Sequence, residues 1–189
     1  MFIKKNLHLK KIERKRVAEG RNLIKGLRLD RNEKVDLWPK DFIKKVLKKK
    51  PPSFFSTYPE ITGLYKQIAK FEKVKEDQIL ITSGIDGSIK NILSLITKPN
   101  ETISVLSPTY AMYEVYSKIF KTKLIKISFN DNFKIDLKSL DLILKKNVKV
   151  IFLPNPNQPI ENYYSLKKLD QLAKKCAKRK CILFVDEAY

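Results

Sequence analysis

The spacing of hydrophobic and polar residues changes repeatedly along the second half of the chain. Short, mostly apolar runs alternate with longer stretches in which apolar residues recur every three or four positions. The short runs predict buried strands and the longer stretches predict amphipathic helices, because a helix repeats about every 3.6 residues. This alternation predicts an α/β fold with a mainly parallel sheet.

The individual elements follow from the same pattern. The predicted strands are Ile79–Thr82, Thr102–Leu106, Leu124–Ile127, Val148–Leu153 and Cys181–Val185. The predicted helices are Lys40–Lys50, Leu64–Lys73, a helix through Ile89 to Ile96, Tyr110–Phe120, Leu137–Lys146 and Leu166–Lys178. Residues 1–39 form a basic segment and an extended arm, and the first 25 residues fit either a mobile arm or a leading helix. We predict one large domain over residues 40–189.

Charge and composition exclude several classes of protein. The net charge of +20 favours nucleic-acid binding at first sight, but lysine greatly outnumbers arginine and is spread along the whole chain. Phosphate and base recognition favours arginine, so we expect no nucleic-acid partner. No apolar stretch is long enough for a membrane span, and no apolar segment follows the basic start to make a secretory signal. Two cysteines do not form a disulfide framework, which favours a cytoplasmic location.

Two of the loops that follow predicted strands offer groups for a phosphate and a ring. Ligands of open α/β sheets bind outside the carboxyl ends of the strands. The loop Ser83–Ser88 opens a helix, and its glycines and backbone amides fit an anion; alternatively, Asp86 only caps the helix. The loop Ser107–Met112 carries Tyr110, which either stacks on a planar ring or packs in the core.

Two further loops supply carboxamides and a carboxylate. In Pro154–Glu161, three prolines accompany three carboxamides, which either face a ligand or only form turns. Asp186 ends an apolar run, where a carboxylate is costly without a positive partner. That partner is either a protonated ring nitrogen or a residue in a structural salt bridge.

Together these loops predict a pocket for a phosphorylated aromatic heterocycle. Amides would hold the phosphate, Tyr110 would stack, a carboxamide would contact a ring substituent, and Asp186 would pair with the ring nitrogen. An aspartate paired with a pyridinium is the pattern expected for pyridoxal 5'-phosphate, since the protonated ring accepts electrons from a substrate α-carbon. No metal site is predicted.

The chain resembles the fold-type I, pyridoxal-phosphate-dependent aminotransferases of class I/II, and within them the histidinol-phosphate aminotransferase-like branch. The resemblance covers Leu27–Tyr189. The motifs that carry it are Asp30-Arg31-Asn32-Glu33, Tyr58-Pro59 with Gly63, Thr82-Ser83-Gly84-Ile85-Asp86, Pro108-Thr109-Tyr110, Asn155-Pro156-Asn157-Gln158-Pro159 and Val185-Asp186-Glu187-Ala188-Tyr189. It implies a three-layer sandwich, an incomplete cofactor-binding large domain preceded by an amino-terminal arm.

The resemblance implies roles at the phosphate and the pyridine ring. Gly84, Ile85 and Asp86 match the phosphate-binding turn of the family. Tyr110 matches the aromatic residue that stacks on the ring. Asp186 matches the catalytic partner of the pyridine nitrogen.

Four more residues match positions around the ring, the substrate and the subunit interface. Tyr189 matches the phenol near the ring 3-hydroxyl and is assigned as catalytic, while Gln158 supplies a carboxamide to the same hydroxyl. Tyr58 matches a tyrosine that reaches the cofactor phosphate of the neighbouring subunit, which implies a homodimer. Asn32 lies in the arm on the substrate side.

Three departures from the family pattern change the expectation. The family usually has Asn-Pro-Thr-Gly where this chain has Gln158-Pro159-Ile160-Glu161, so the carboxamide is kept and the Thr-Gly turn is lost. Gly87 stands where an acidic residue is common. The Schiff-base lysine and the arginines for phosphate and substrate carboxylate are expected after Tyr189, and no lysine here matches. We therefore expect this chain alone to be an inactive amino-terminal fragment.

The expected activity is transfer of an amino group between an amino acid and a 2-oxo acid or a phosphorylated ketone of the histidinol-phosphate type. A pyridoxal-phosphate-dependent decarboxylase of the same fold remains an alternative. A second alternative is a catalytically inactive remnant or basic binding protein, whose binding to DNA or heparin would survive moderate salt.

Overall fold

Contacts within the chain divide it into two compact units. The computed structural model describes residues 8–9, 12, 34, 36–135, 137–160 and 163–189, without the side chains of 137 and 138. One unit comprises Met1–Arg14 with Thr82–Tyr189, and the other comprises Lys15–Ile81. The division of the chain into residues 1–39 and 40–189 stays a prediction.

The unit Lys15–Ile81 contains two short α-helices in its described part. Helix α1 spans Phe42–Lys48 and α2 spans Thr62–Glu72. A short 3₁₀ helix at Pro52–Phe55 follows α1, and another at Glu76–Gln78 follows α2. Both predicted helices are present. Helix α1 is shorter than the predicted Lys40–Lys50, since the lysines and prolines after it do not continue the helix, whereas α2 begins two residues before the predicted Leu64 and ends one residue before the predicted Lys73.

Strands and helices alternate through the larger unit. Its elements are α3 (Gly84–Ile96), β1 (Thr102–Ser107), α4 (Met112–Ile119), β2 (Lys123–Ser128), α5 (Leu137–Leu144), β3 (Val148–Pro154), α6 (Leu166–Lys178) and β4 (Ile182–Asp186). The strands form a parallel sheet in the order β2-β1-β3-β4. The α/β class and the parallel pairing predicted from the sequence are confirmed.

Helices cover both faces of this sheet, and β3 shows why. Val150 and Phe152 point to one face, where they pack with α3 and α4 in one apolar cluster. Ile151 and Leu153 point to the other face and join α5 and α6 in a second cluster. A strand buried on both faces must be apolar at nearly every position, as this one is. The unit is thus the predicted three-layer sandwich.

The segment Ile79–Thr82 is not a strand, and the sequence prediction is wrong there. Leu80 is 64% exposed and Ile81 is 38% exposed, so the apolar run is not buried. The backbone N–H of Ile81 donates to the phenol oxygen of Tyr65 at 3.2 Å rather than to a neighbouring strand. An apolar run by itself does not supply the strand partner that a ladder requires.

Charged residues occupy the outward faces of the helices. Lys174 pairs with Asp170 one turn away in α6 at 2.6 Å, and Lys175 reaches Asp141 of α5 at 2.8 Å. Helices α5 and α6 therefore each have one polar face and one packed face. Over the described residues, no helix has the length and apolar character needed to cross a membrane.

Two leucines of α3 test this layering. Leu93 is fully buried against the sheet, whereas Leu95 is 76% exposed. We expect Leu93→Ala to lower the free energy of unfolding by about 2–5 kcal/mol, because it leaves a cavity in the core. The matched change Leu95→Ala should alter it by no more than about 0.5 kcal/mol. Urea unfolding followed by circular dichroism measures both, and equal losses would contradict the arrangement.

Candidate functional site

A cavity lies at the carboxyl ends of β1, β3 and β4, beside the amino end of α3. Its volume is about 130 Å³. The residues that line it include Ile85, Tyr110, Pro154, Gln158, Asp186 and Tyr189. The structure therefore brings together five of the nine predicted site residues, which come from four separate loops of the sequence.

Strand register sets the floor of this cavity. Pro154 of β3 is the partner of Asp186 of β4, so the two strands end level with each other. The N–H of Asn155 then donates to the carbonyl oxygen of Asp186 at 2.8 Å. Parallel strands that end in register place their following loops side by side, which is why residues far apart in sequence meet here.

Asp186 is a buried carboxylate with two hydrogen-bond donors. Only 7% of the residue is exposed. One carboxylate oxygen, Oδ1, accepts the N–H of Ala188 at 3.1 Å, and Oδ2 accepts the phenol O–H of Tyr113. Within the described part of the chain, no lysine, arginine or histidine forms a salt bridge with it. The alternative of a structural salt bridge therefore has no support there.

Tyr113 is a site residue that the sequence interpretation missed. It is 1% exposed, and its ring lies 5.1 Å from that of Phe152 and 6.1 Å, edge-on, from that of Tyr110. Burial, and next the hydrogen bond to Asp186, raise the pKa of its phenol far above the ordinary value. The sequence offered one signal for Tyr113, its position three residues after Tyr110. Residues three apart lie on one face of a helix.

The turn into α3 presents backbone groups rather than a capping side chain. Gly84 has φ of 67°, a left-handed conformation that glycine adopts without strain. Ser83 stands at the helix start, and no side chain caps it. Asp86 instead accepts the phenol O–H of Tyr110 at 3.1 Å, so the capping alternative is not what the structure shows. The first amide groups of α3 are left without capping side chains.

Gly87, which the sequence shows only as a departure from the family pattern, is closely packed in the first turn of α3. A Cβ atom there would lie 3.0 Å from Ser83 Oγ and 3.2 Å from Thr82 Cβ. Thr82 Oγ1 and Ser88 Oγ are hydrogen-bonded at 2.8 Å across the same turn. A larger residue would require the side chains of Ser83 and Thr82 to shift, which gives a steric reason for glycine where the family often has an acid.

The three carboxamides of the loop after β3, those of Asn155, Asn157 and Gln158, have different surroundings. Asn157 is 1% exposed; its Oδ1 accepts from Thr109 Oγ1 at 2.7 Å, and its Nδ2 donates to the carbonyl of Pro108 at 3.0 Å. Asn155 accepts the N–H of Tyr164 at 2.5 Å. Both asparagines thus build loops, as the turn-forming alternative proposed. Gln158 faces the cavity.

Gln158 and Tyr189 meet at the mouth of the cavity. The phenol O–H of Tyr189 donates to Gln158 Oε1 at 3.2 Å. Tyr189 is 60% exposed, and both groups are open to a ligand that replaces this contact. That both side chains serve one ring substituent stays a prediction.

Two further predicted site residues, Tyr58 and Asn32, are not among the described residues that line the cavity. Tyr58 belongs to the unit Lys15–Ile81 and is fully exposed. Asn32 falls outside the described residues. Across the described part of the chain, no group of histidine, cysteine, aspartate and glutamate is arranged to hold a metal ion.

Comparison with known proteins supplies the family. The model of the family "Aminotransferase class I and II" matches residues 25–189. The chain belongs to the class I and II aminotransferases. The histidinol-phosphate aminotransferase of Pelagibacter ubique is 31% identical over 175 residues, which are 92% of this chain and 47% of that protein. The same-named protein of Buchnera aphidicola subsp. Cinara cedri is 36% identical over 135 residues, 70% of this chain and 38% of that one.

A solved structure shows the same fold. The histidinol-phosphate aminotransferase of Sinorhizobium meliloti, in complex with pyridoxal-5'-phosphate, matches with a TM-score of 0.61 and 20% identity, covering 66% of this chain and 34% of that one. This chain spans less than half the length of the two curated relatives above. The comparison thus confirms the predicted family and the fold of this aminotransferase chain.

The close packing at Gly87 leads to a test with a matched control. Glycine to alanine in a helix usually stabilises a protein by about 0.4–1 kcal/mol. We expect such a gain for Gly63→Ala in α2, where a Cβ meets nothing within 4 Å. Gly87→Ala should instead cost about 1–3 kcal/mol, because Ser83 and Thr82 must move. Urea unfolding measures the free energy of unfolding of both variants. A higher value for Gly87→Ala than for the wild type would contradict the steric argument.

The raised pKa of Tyr113 predicts a change of stability in alkali. Above pH about 10, an unfolded tyrosine gives up its proton while the buried phenol keeps it. The stabilisation by neutral Tyr113 is therefore complete below that pH and is lost as the pH rises further. We expect the difference in free energy of unfolding between wild type and Tyr113→Phe to narrow from pH about 9 to 11. Urea titrations at both pH values measure it, and a constant difference would argue against the shift.

Proposed function

We propose that this chain forms the pyridoxal-phosphate-binding part of an aminotransferase of the histidinol-phosphate aminotransferase type. The family match and the names of the relatives support the reaction class. The observation that carries the proposal is the Asp186 carboxylate, which is buried at the cavity and has two neutral donors. A buried carboxylate is costly without a positive partner, and a protonated ring nitrogen would be one.

The donor set of Asp186 fits this partner. A carboxylate offers about four acceptor positions, and the N–H of Ala188 and the O–H of Tyr113 occupy one on each oxygen. Acceptor capacity thus remains on each oxygen, and Asp186 is among the residues that line the cavity. A ring nitrogen that donates from the cavity would complete the set.

The amino end of α3 would hold the phosphate. Its first amides have no capping side chain, and the helix dipole favours an anion at this end. Gly84 keeps the backbone open to close approach, and Ile85 lines the cavity. Because the Asp86 carboxylate is bound to Tyr110, we assign backbone groups and not this side chain to the phosphate.

Ring contacts would come from three further side chains. Tyr110 lines the cavity and would stack on the ring, with its hydroxyl held by Asp86. Gln158 and Tyr189, already in contact with each other, would turn to the 3-hydroxyl. When bound, pyridoxal phosphate supplies the electron-accepting ring that transamination needs. The residues of this chain would bind and orient it, and Asp186 would hold the proton on the ring nitrogen.

Substrates, partners and location extend the same proposal. We infer an amino acid and a 2-oxo acid as substrates, with Asn32 on the substrate side. A homodimer would place Tyr58 against the phosphate of the neighbouring subunit, and the full exposure of Tyr58 leaves it available for such a contact. We infer a cytoplasmic location from the two cysteines, which do not form a disulfide framework.

Binding of pyridoxal phosphate to Asp186 variants tests the proposal. We expect the chain to bind the compound and Asp186→Asn to weaken binding at least about tenfold, because a neutral amide no longer attracts a pyridinium. Asp131→Asn, at an exposed position, is the matched control and should leave the affinity unchanged. Quenching of protein fluorescence gives the dissociation constants.

Pyridoxal without the phosphate provides the second arm. It should bind more weakly than pyridoxal phosphate to the wild-type chain, since the amino end of α3 then has no anion to hold. Failure of the wild-type chain to bind pyridoxal phosphate, or equal binding by Asp186→Asn, would overturn the proposed function.

A further inference from the structure

We propose that Tyr113 is a positioning residue for the cofactor nitrogen: its phenol O–H holds the Asp186 carboxylate in the orientation that receives the pyridinium. The inference rests on the proposed function and extends it to a residue that does not line the cavity. It concerns a hydrogen bond inside the protein, between α4 and the end of β4.

The side chain of Tyr113 is held in place by the packing around it. The residue is 1% exposed, and its ring packs 5.1 Å from Phe152 of the central strand β3. Phe152 in turn lies 5.2 Å from Phe184, which belongs to the same strand as Asp186. Close packing in this buried cluster restricts the movement of the Tyr113 ring. The O–H is therefore delivered to Asp186 by the core rather than by a flexible loop.

Two donors from different elements lock the carboxylate plane. Oδ2 accepts from Tyr113 of α4, and Oδ1 accepts at 3.1 Å from the backbone N–H of Ala188, beyond the end of β4. Rotation about the carboxylate axis would break both contacts. Their loss inside a nearly buried site is costly, because water does not replace them freely.

The direction of the hydrogen bond matters for the chemistry. Burial raises the pKa of Tyr113, so the phenol remains protonated and donates at any physiological pH. An oriented carboxylate oxygen is what would accept from the ring nitrogen, and a tyrosine that only filled space would not orient it.

Tyr110 and Tyr113, three residues apart, hydrogen-bond to different carboxylates at the site. The phenol of Tyr110 donates to Asp86 in the turn before α3, and that of Tyr113 donates to Asp186 at the end of β4. Their rings touch edge-on at 6.1 Å. One hydrogen bond thus orders the phosphate end of the cavity and the other orders the nitrogen end.

A ligand that lacks the ring nitrogen distinguishes a positioning role of Tyr113 from a role in packing alone. The probes are pyridoxal phosphate and its analogue with a CH group in place of the ring nitrogen. We expect Tyr113→Phe to weaken binding of pyridoxal phosphate about tenfold, the usual effect of one hydrogen bond to a charged group. Binding of the analogue should change less than about twofold, since it makes no hydrogen bond to Asp186.

Tyr116→Phe is the matched control on the same helix. Tyr116 is partly buried against the same apolar cluster, and its hydroxyl does not reach Asp186. This variant should leave both dissociation constants unchanged. An equal loss of affinity for both ligands in Tyr113→Phe would show a merely structural role, and no loss for pyridoxal phosphate would also overturn the inference.

Proton NMR reads the contact without any ligand. The hydroxyl proton of Tyr113 should give a low-field signal that vanishes in Tyr113→Phe and moves in Asp186→Asn. Absence of that signal from the wild-type chain would overturn the inference at its geometric basis. If the signal is present but wild type binds neither compound, the proposed function fails first, and the role of Tyr113 toward the nitrogen fails with it.

Discussion

Burial of the Asp186 carboxylate is the interaction on which the candidate site depends. The residue lies at the end of an apolar strand with 7% of its surface exposed, and a charge in that position must be compensated. The chain supplies two neutral donors from separate elements, Tyr113 and the backbone of Ala188. Neutral donors orient the charge without cancelling it. The fold thereby leaves acceptor capacity on Asp186 for a cationic donor at the cavity, and this is the physical basis of the proposed pairing.

The parallel sheet is what makes this placement possible. Since β3 is buried on both faces, it fixes the two helical layers and its neighbour β4 relative to one another. All strands then end toward one edge, and the polar loops gather there because apolar side chains fill the rest of the unit. Asn157, buried between the loops after β1 and β3, ties that edge together through Thr109 and Pro108.

Much of this could be read from the sequence, and the failures have physical causes. Alternation of apolar runs predicted the four paired strands, because both-sided burial leaves a strong pattern. It failed at Ile79–Thr82, where the run is apolar but has no strand partner. Tyr113 escaped notice because its spacing from Tyr110 indicates a shared helix face but not the hydrogen bond to Asp186. The need for glycine at Gly87 depends on a 3.0 Å approach to Ser83, which only three-dimensional packing determines.

The glutamine at Gln158 changes how far the side chain extends more than it changes the position of the loop after β3. Loop position here depends on Asn155 and Asn157, whose side chains bond to Tyr164, Thr109 and Pro108. Neither asparagine belongs to the Asn-Pro-Thr-Gly stretch that the chain lacks, so loss of the Thr-Gly pair leaves these anchors intact. Gln158, one methylene longer than the usual asparagine, still reaches the phenol of Tyr189 at 3.2 Å. A longer side chain on an anchored loop keeps the same carboxamide chemistry at the cavity.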